Sequence, residues 1–474
     1  MSLLQKAKHN NTLFGNSFLI FMIRFFPSLA TLIVVILFSR NISESEYGNY
    51  QNFWVQLYLI SAVATLGLPA LLLTYSPPFV KRLLSTLNFR YYAGIFCWMI
   101  AATIAFVAVR NYSSDMPWHI PFCFFLLYVL NAVTESLLVV FRRFTMLLGS
   151  NIIYAGVFTW LHFGVLYDVY DTTTLFVLLL LPGILKLLVN VVFINDSLKR
   201  TETTSQHDYT RADVRSLWLH VGIYDVLQRV FSWVDKFAIS LLFSAGVSAI
   251  YFNGTFDVPF LPLLLGAVSS AALLQMSSFT KKGNNPSAVL IANQTAKMLS
   301  SVVFPLFFFL LLFRQELFTV LLTDKYAESI PIFAVTVLIV PLRAYNFTSI
   351  LQNRHKGRII NAGAVLDLVI ALALMYPLYQ LAGLIGIAGS FVASSYIQGA
   401  YYLYHTGKVL QTPVAQLVPV KNWLLKLAIS GILFFICHYL LAMMFTQEMV
   451  LILGSLVLAT VSLVTIAIEL RSSK

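Results

Sequence analysis

The chain is predicted to be an all-α polytopic membrane protein, and three observations carry that expectation. Of its 474 residues, 59% are apolar and only 11% are charged, where soluble domains carry roughly 25% charged residues. The apolar residues come in continuous blocks, most of them matching the ~20 residues that a bilayer-spanning helix needs. Basic residues gather in alternate connections between those blocks, as the positive-inside rule requires. Continuous blocks of this length also exclude a transmembrane barrel, whose strands alternate and are far shorter.

Fourteen spans follow in order. Residues 13–39 form the first, preceded by Lys6 and Lys8 and followed by Arg40; the run is too long for a signal-peptide core and lacks a small-residue cleavage site. The second, 50–74, leads into Lys81, Arg82 and Arg90, and the third, 91–109, ends at Arg110. Span four, 118–141, is closed by Arg142 and Arg143; spans five (147–167) and six (173–195) precede Lys199, Arg200, Arg211 and Arg215. Spans seven (216–243) and eight (247–275) precede Lys281 and Lys282, and span nine (288–313) precedes Arg314 and Lys325. Span ten (329–352) precedes Arg354, Lys356 and Arg358, and spans eleven (359–379) and twelve (383–405) precede Lys408, Lys421 and Lys426. Spans thirteen (424–444) and fourteen (449–470) close the chain before Arg471 and Lys474.

With the N-terminus cytoplasmic, 21 of the 31 basic residues fall on the cytoplasmic side, four on the other and six within spans. Both termini are therefore expected in the cytoplasm, and the net charge of +12 reports topology. The charge is dispersed over short loops, which argues against a nucleic-acid partner. Cys97, Cys123 and Cys437 all lie in apolar stretches and give no disulfide framework.

The longest cytoplasmic connection divides the chain into an N-terminal lobe (1–200, spans one to six), a linker (201–215), a C-terminal lobe (216–406, spans seven to twelve) and spans thirteen and fourteen (407–474). A faint repeat supports this division: Leu37-Phe38-Ser39 precedes Tyr47, and Leu242-Phe243-Ser244 precedes Tyr251. Transporters are commonly built from such repeats.

Eleven ionisable residues lie inside spans: Arg24, Lys186, Arg229, Lys236, Lys297, Arg343, Glu135, Asp225, Asp235, Asp257 and Asp367. Each costs at least about 2.5 kcal/mol at bilayer depth, so they face protein or a watery cavity and carry the functional signal. On span seven, Asp225, Arg229, Ser232 and Lys236 recur at spacings of four, three and four, which places them on one stripe. That stripe either lines a cavity or is a structural Asp225–Arg229 pair. Arg24, deep in span one and just before Pro27, either contacts an anion or is buried against Glu135 or Asp257. Arg343 is a third candidate for anion contact, whereas Lys186 and Lys297 are placed to reach the headgroups.

Glu135 follows Asn131 by four, and Asp257 follows Asn253 by four, so each acid shares a helix face with an amide. Such a carboxylate is a hydrogen-bonded clamp between helices or a proton carrier. Asp235, Asp367, Asn361, Ser390, Ser394 and Ser395 would make an oxygen-rich cation site if folding brings them together. No phosphate-binding loop, zinc spacing or nucleophile elbow is present, and no metal or organic cofactor is expected.

Several segments together resemble one family. Ser45 to Tyr50 (Ser-Glu-Tyr-Gly-Asn-Tyr), Thr65 to Leu71 (Thr-Leu-Gly-Leu-Pro-Ala-Leu), Val234 to Ser240, Thr323 to Ala327 and Gly383 to Gly389 resemble landmarks of the polysaccharide flippases in the multidrug/oligosaccharidyl-lipid/polysaccharide (MOP) exporter superfamily. The resemblance implies a two-lobed alternating-access transporter in the bacterial inner membrane. Its implied cargo is an undecaprenyl-diphosphate-linked oligosaccharide for O-antigen and lipopolysaccharide, capsule or exopolysaccharide assembly, with membrane lipids and a polysaccharide polymerase as partners. Arg24 and Arg229, each in the first span of a half, would then clamp the diphosphate across the lobe interface, with Lys236 and Arg343 as further substrate contacts. Sodium or protons would couple through Asp235, Asp367, Asn361, Ser394, Glu135 and Asp257. The alternatives are a cation-coupled multidrug exporter of the same superfamily, or a membrane polymerase or glycosyltransferase. Arg24 and the two extra spans argue against the first, and the absence of a large external loop against the second.

Overall fold

The computed structural model describes residues 3–114, 116–202, 211–256 and 285–472, together with residues 261, 265, 268, 272 and 276. Asp257 and most of the predicted eighth span lie outside them. The described residues are mostly helical, with no strand among them. In order the helices are α1 (Leu3–Asn41), α2 (Glu44–Thr65), α3 (Leu68–Leu72), α4 (Pro77–Thr86), α5 (Phe89–Ser113), α6 (His119–Val140), α7 (Phe144–Leu166), α8 (Thr172–Arg200), α9 (Arg211–Leu242) and α10 (Ala245–Gly254). They continue as α11 (Asn285–Leu312), α12 (Arg314–Leu322), α13 (Ser329–Val337), α14 (Ser349–Asn353), α15 (Gly357–Leu410), α16 (Val414–Leu417), α17 (Val420–Met444) and α18 (Gln447–Ser472).

Nine helices among the described residues are long and apolar enough to cross a membrane. The gap between nine and the fourteen predicted spans has physical causes. Spans two and seven, in α2 and α9, carry too many polar residues to count by hydropathy alone. Span ten is broken into α13, a 3-10 turn at Val340–Ala344 and α14, with Pro341 at the start of that turn. Spans eleven and twelve form the single 54-residue α15, bent where Ala382 and Gly383 leave helical geometry (Gly383 φ 58°).

Contacts divide the chain into two compact units, residues 1–249 and 250–474. In the first unit α1 packs on α7, α6 on α8, and α2 on α5 and α9. The sequence sets span seven at the head of the second half, whereas here α9 packs against α2 and α3 within the first unit. Local chemistry sets the ends of these helices. Ser43 caps α2 by accepting from the Glu46 amide, with Glu44 and Glu46 in the positively polarised first turn. Asp171 caps α8 in the same way through the Thr174 amide.

The predicted second span breaks between α2 and α3, where Leu66 and Gly67 take left-handed φ of 48° and 66°. The break frees the Leu66 carbonyl, which accepts from Trp218 Nε1 of α9 at 2.9 Å. It also lets α9 come so near that a Cβ on Gly67 would lie 2.2 Å from the Gly222 Cα. We therefore expect Gly67→Ala to cost more than about 2 kcal/mol, from left-handed strain plus a backbone clash. Its melting temperature in detergent checks this, and melting at the wild-type temperature would contradict the close crossing.

The core of this unit is aromatic. Phe53 lies 3.9 Å from Phe176, 5.2 Å from Phe124 and 5.5 Å from Phe106, centroid to centroid. Buried His162 engages the Tyr50 hydroxyl at 2.8 Å and the Phe158 carbonyl at 2.6 Å. Arg110, which the sequence places outside the membrane beyond span three, is instead buried in α5 at 2% exposure. It donates to Gln56 Oε1 at 3.1 Å, and Gln56 in turn donates to Ser240 Oγ of α9 at 3.1 Å, tying α5, α2 and α9 together. Hydropathy averages over a helix end and cannot see such a partner.

In the second unit α11 packs on α17 and α18. Lys426, which the sequence assigns to a cytoplasmic connection, lies inside α17. It pairs with Glu469 of α18 at 2.9 Å and donates to the Lys297 carbonyl at 2.6 Å and Ser301 Oγ at 2.8 Å, both on α11. Asn422 Nδ2 also donates to Glu469, at 2.8 Å. Farther along α17, His438 meets Glu316 of α12 at 2.8 Å. Apolar contact distinguishes poorly between a neighbouring helix and lipid, so such polar bonds fix where these helices pack.

Candidate functional site

The first unit gathers most of the charged side chains singled out by the sequence. Along α9, Arg229 Nε meets Asp225 Oδ2 at 3.1 Å, with the guanidinium side chain 45% exposed. A pair this open is only weakly stabilising. Its two terminal nitrogens have no partner among the described residues, so they keep donors for a ligand. Two turns on, Lys236 Nζ lies 3.3 Å from Asp235 Oδ2 and 5.9 Å from the centre of the Trp233 ring. Ser232 is exposed on the same stripe.

The seam between α6 and α8 holds Glu135 in an ion pair. Lys186, expected to reach headgroups, instead binds Glu135 Oε1 at 2.6 Å and sits 4.7 Å above the Tyr154 ring. Asn131 Nδ2 donates to the Gly183 carbonyl at 3.1 Å, and Asn190 Nδ2 donates to Thr134 Oγ1 at 3.3 Å. Glu135 and Asn131 thus join two helices through one face, which is the geometry of a clamp. A carboxylate already held by an ammonium is a poor partner for Arg24.

Arg24 is accordingly different from every other cation in this unit's spans. It is exposed midway along α1, and no ion pair engages it among the described residues. Its backbone carbonyl accepts from Ser28 Oγ at 2.9 Å. A guanidinium in an apolar span without a carboxylate is expensive unless water or an anionic ligand meets it.

In the second unit the bend at Gly383 folds α15 into a hairpin. Tyr402 OH donates to the Ile360 carbonyl at 2.9 Å and Gln398 Nε2 to the Gly363 carbonyl at 3.1 Å. The same register brings buried Asp367 close to buried Ser394, with exposed Arg343 in electrostatic reach. Asn361 stands six residues before Asp367, on a different face of the helix. Ser390 and Ser394 donate to the Ile387 and Phe391 carbonyls, at 2.7 and 3.0 Å. Of the expected cation set, Asp367 and Ser394 are brought together; Asp235 belongs to the first unit.

Sequence reasoning passed over the aromatic residues between these charges. Tyr58 of α2 lies 4.9 Å from Trp233 of α9 and 6.1 Å from Tyr128 of α6, between ring centres. Tyr128 is in electrostatic reach of both Arg229 and Glu135, and Tyr154 of Glu135. Helical spacing from the charged positions was the available signal: Tyr128 precedes Glu135 by seven and Trp233 follows Arg229 by four, each pair on one face.

No family model matches the chain, and no curated protein matches it. Solved structures do. A structure titled "Lipid II flippase MurJ, inward closed conformation" aligns with a TM-score of 0.65 at 17% identity, over 95% of this chain and 98% of that one. An inward-facing multidrug resistance MATE family transporter of the MOP superfamily aligns with a TM-score of 0.53 at 15% identity, over 81% of this chain and 94% of that one. An outward-facing structure described in the same terms aligns with a TM-score of 0.54 at 16% identity, over 83% and 94%. At these identities the likeness shows the fold alone: this chain shares the architecture of these solved structures.

Proposed function

We propose that this protein is a flippase that moves a polyprenyl-diphosphate-linked oligosaccharide from the inner to the outer leaflet of the bacterial cytoplasmic membrane, for O-antigen, capsule or exopolysaccharide assembly. The observation that carries the reading is Arg24, an exposed guanidinium in an apolar span with no ion-pair partner among the described residues. Its planar fork of donors suits phosphate oxygens. Arg229, with its terminal nitrogens open, is the second contact, and Lys236 and Arg343 are subsidiary ones. The likeness to a lipid II flippase over nearly the full length of both chains supports this choice. The MATE structures cover 81% and 83% of this chain.

Transport by alternating access would expose the site to each side in turn, coupled to sodium or protons. Asp367, buried beside Ser394, is the best placed carboxylate for a coupling ion, with Asp235 second. Glu135, tied to Lys186, serves better as a helix clamp than as a carrier. A polysaccharide polymerase would receive the cargo on the far side.

Multidrug export is the second reading, favoured by the buried acid Asp367 and by the shared fold. A deletion strain separates the two. Accumulation of lipid-linked oligosaccharide in the inner leaflet, with unchanged drug tolerance, is the expected result; normal glycan export with drug hypersensitivity would reverse the assignment.

A further inference from the structure

Diphosphate recognition leaves one group of side chains in the first unit without a role. Tyr58, Tyr128, Tyr154 and Trp233 come from four helices and are all partly open. Tyr58 stacks obliquely on Trp233 at 4.9 Å and contacts Tyr128 at 6.1 Å, while Tyr154 is covered by the Lys186 ammonium at 4.7 Å. The hydroxyls of all three tyrosines and the indole N–H of Trp233 have no hydrogen-bond partner among the described residues. Buried or half-buried polar groups are normally satisfied, so unpartnered hydroxyls at a partly open surface are placed to meet water or a ligand. Buried Tyr402, by contrast, donates to the Ile360 carbonyl.

Charge narrows the occupant. The wall is bordered by two ion pairs, Glu135–Lys186 at 2.6 Å and Asp225–Arg229 at 3.1 Å. Each cation has its own acid, so the border is close to neutral apart from the open terminal nitrogens of Arg229, which stand at the edge of the wall. A group that presents an apolar C–H face to aromatic rings, and hydroxyls to phenols, carboxylates and guanidinium donors, fits both features. That description is a pyranose ring.

We infer that Tyr58, Tyr128, Tyr154 and Trp233 form a saccharide-binding wall in the first unit, with Glu135, Arg229 and their partners supplying hydrogen bonds to the sugar's hydroxyls. The inference rests on the proposed flippase reading and divides labour within it: Arg24, with Arg229 at the boundary, meets the diphosphate, and the aromatic wall meets the glycan. Recognition of sugar identity then sits in the wall, and recognition of the lipid carrier in the arginine.

The test uses the purified full chain in nanodiscs and native mass spectrometry. The ligands are bare undecaprenyl diphosphate, the same lipid carrying a single glucose, galactose or N-acetylglucosamine, and phosphatidylglycerol as reference. The wild type is expected to bind at least one glycosylated lipid about tenfold more tightly than the bare carrier. Trp233→Leu should reduce that preference to about twofold or less while leaving the affinity for the bare carrier in place. Tyr128→Phe, which keeps the ring and removes only the hydroxyl, guards against a folding defect and should lower the preference about threefold. A wild type that binds bare and glycosylated carriers alike overturns the wall and leaves the flippase reading standing. Variants that lose both ligands equally, or neither, also overturn it. Binding of neither carrier above phosphatidylglycerol removes the flippase reading itself, and the wall with it.

Discussion

Arg24→Ala lowers the rate of lipid-linked oligosaccharide transfer about 10- to 100-fold, the loss of one charge-assisted contact worth roughly 1.5 to 3 kcal/mol. The variant still folds and inserts, because the Arg24 guanidinium engages no side chain among the described residues: Glu135 is held by Lys186 at 2.6 Å, and Ser28 Oγ donates to the backbone carbonyl of residue 24. Arg24→Lys restores part of the rate, since an ammonium keeps the charge and loses the planar fork. Transfer in proteoliposomes, normalised to the amount of inserted protein, checks both. Full activity of Arg24→Lys would mean that charge alone suffices, and full activity of Arg24→Ala would remove the arginine from substrate binding.

Glu469→Ala is expected to be the largest stability defect in the second unit. Lys426 and Glu469 side chains are only 12% and 10% exposed. Removing one partner leaves an ammonium in a poorly hydrated site, which costs about 3 kcal/mol or more. The bonds from Lys426 to the Lys297 carbonyl and Ser301 soften the loss without neutralising the charge. The double variant Glu469→Leu with Lys426→Met replaces the pair by apolar groups and should recover most of the melting temperature, because no buried charge remains. Thermal melting in detergent reads all three proteins. A Glu469→Ala melt at the wild-type temperature would show that α17 and α18 are held without this pair.

How much of this was legible in the sequence depends on the length scale of each feature. Long apolar runs were: predicted spans at 424–444 and 449–470 are α17 (Val420–Met444) and α18 (Gln447–Ser472), and the gap before Gly383 is the bend in α15. Short breaks were not. The window that finds a 25-residue run averages over Leu66 and Gly67, where two left-handed residues end α2. The same averaging hides the turn that begins near Pro341.

Charged residues were found reliably, but their partners were not. Spacing along one helix predicted the Asp225–Arg229 pair, because both ends lie on the same helix. Whether Glu135 meets Arg24 or Lys186 depends on how α6 and α8 are rotated about their axes, which no spacing within one helix encodes. Arg110 and Lys426 were misplaced for a related reason: each sits near a helix end, where hydropathy favours a loop, and each is retained inside by acceptors from other helices. The tyrosines escaped notice because a hydropathy reading counts their rings as apolar and cannot see whether their hydroxyls are satisfied.

Leaflet transfer by the purified protein tests the central claim most directly. Liposomes containing the protein and a fluorescent undecaprenyl-diphosphate-linked oligosaccharide are treated with an impermeant quencher at successive times. The account predicts that wild-type protein makes the inner-leaflet fraction accessible to quencher, and that Arg24→Ala does so at no more than about a tenth of that rate. Transfer no faster than in protein-free liposomes, or equal transfer by both proteins, would contradict it.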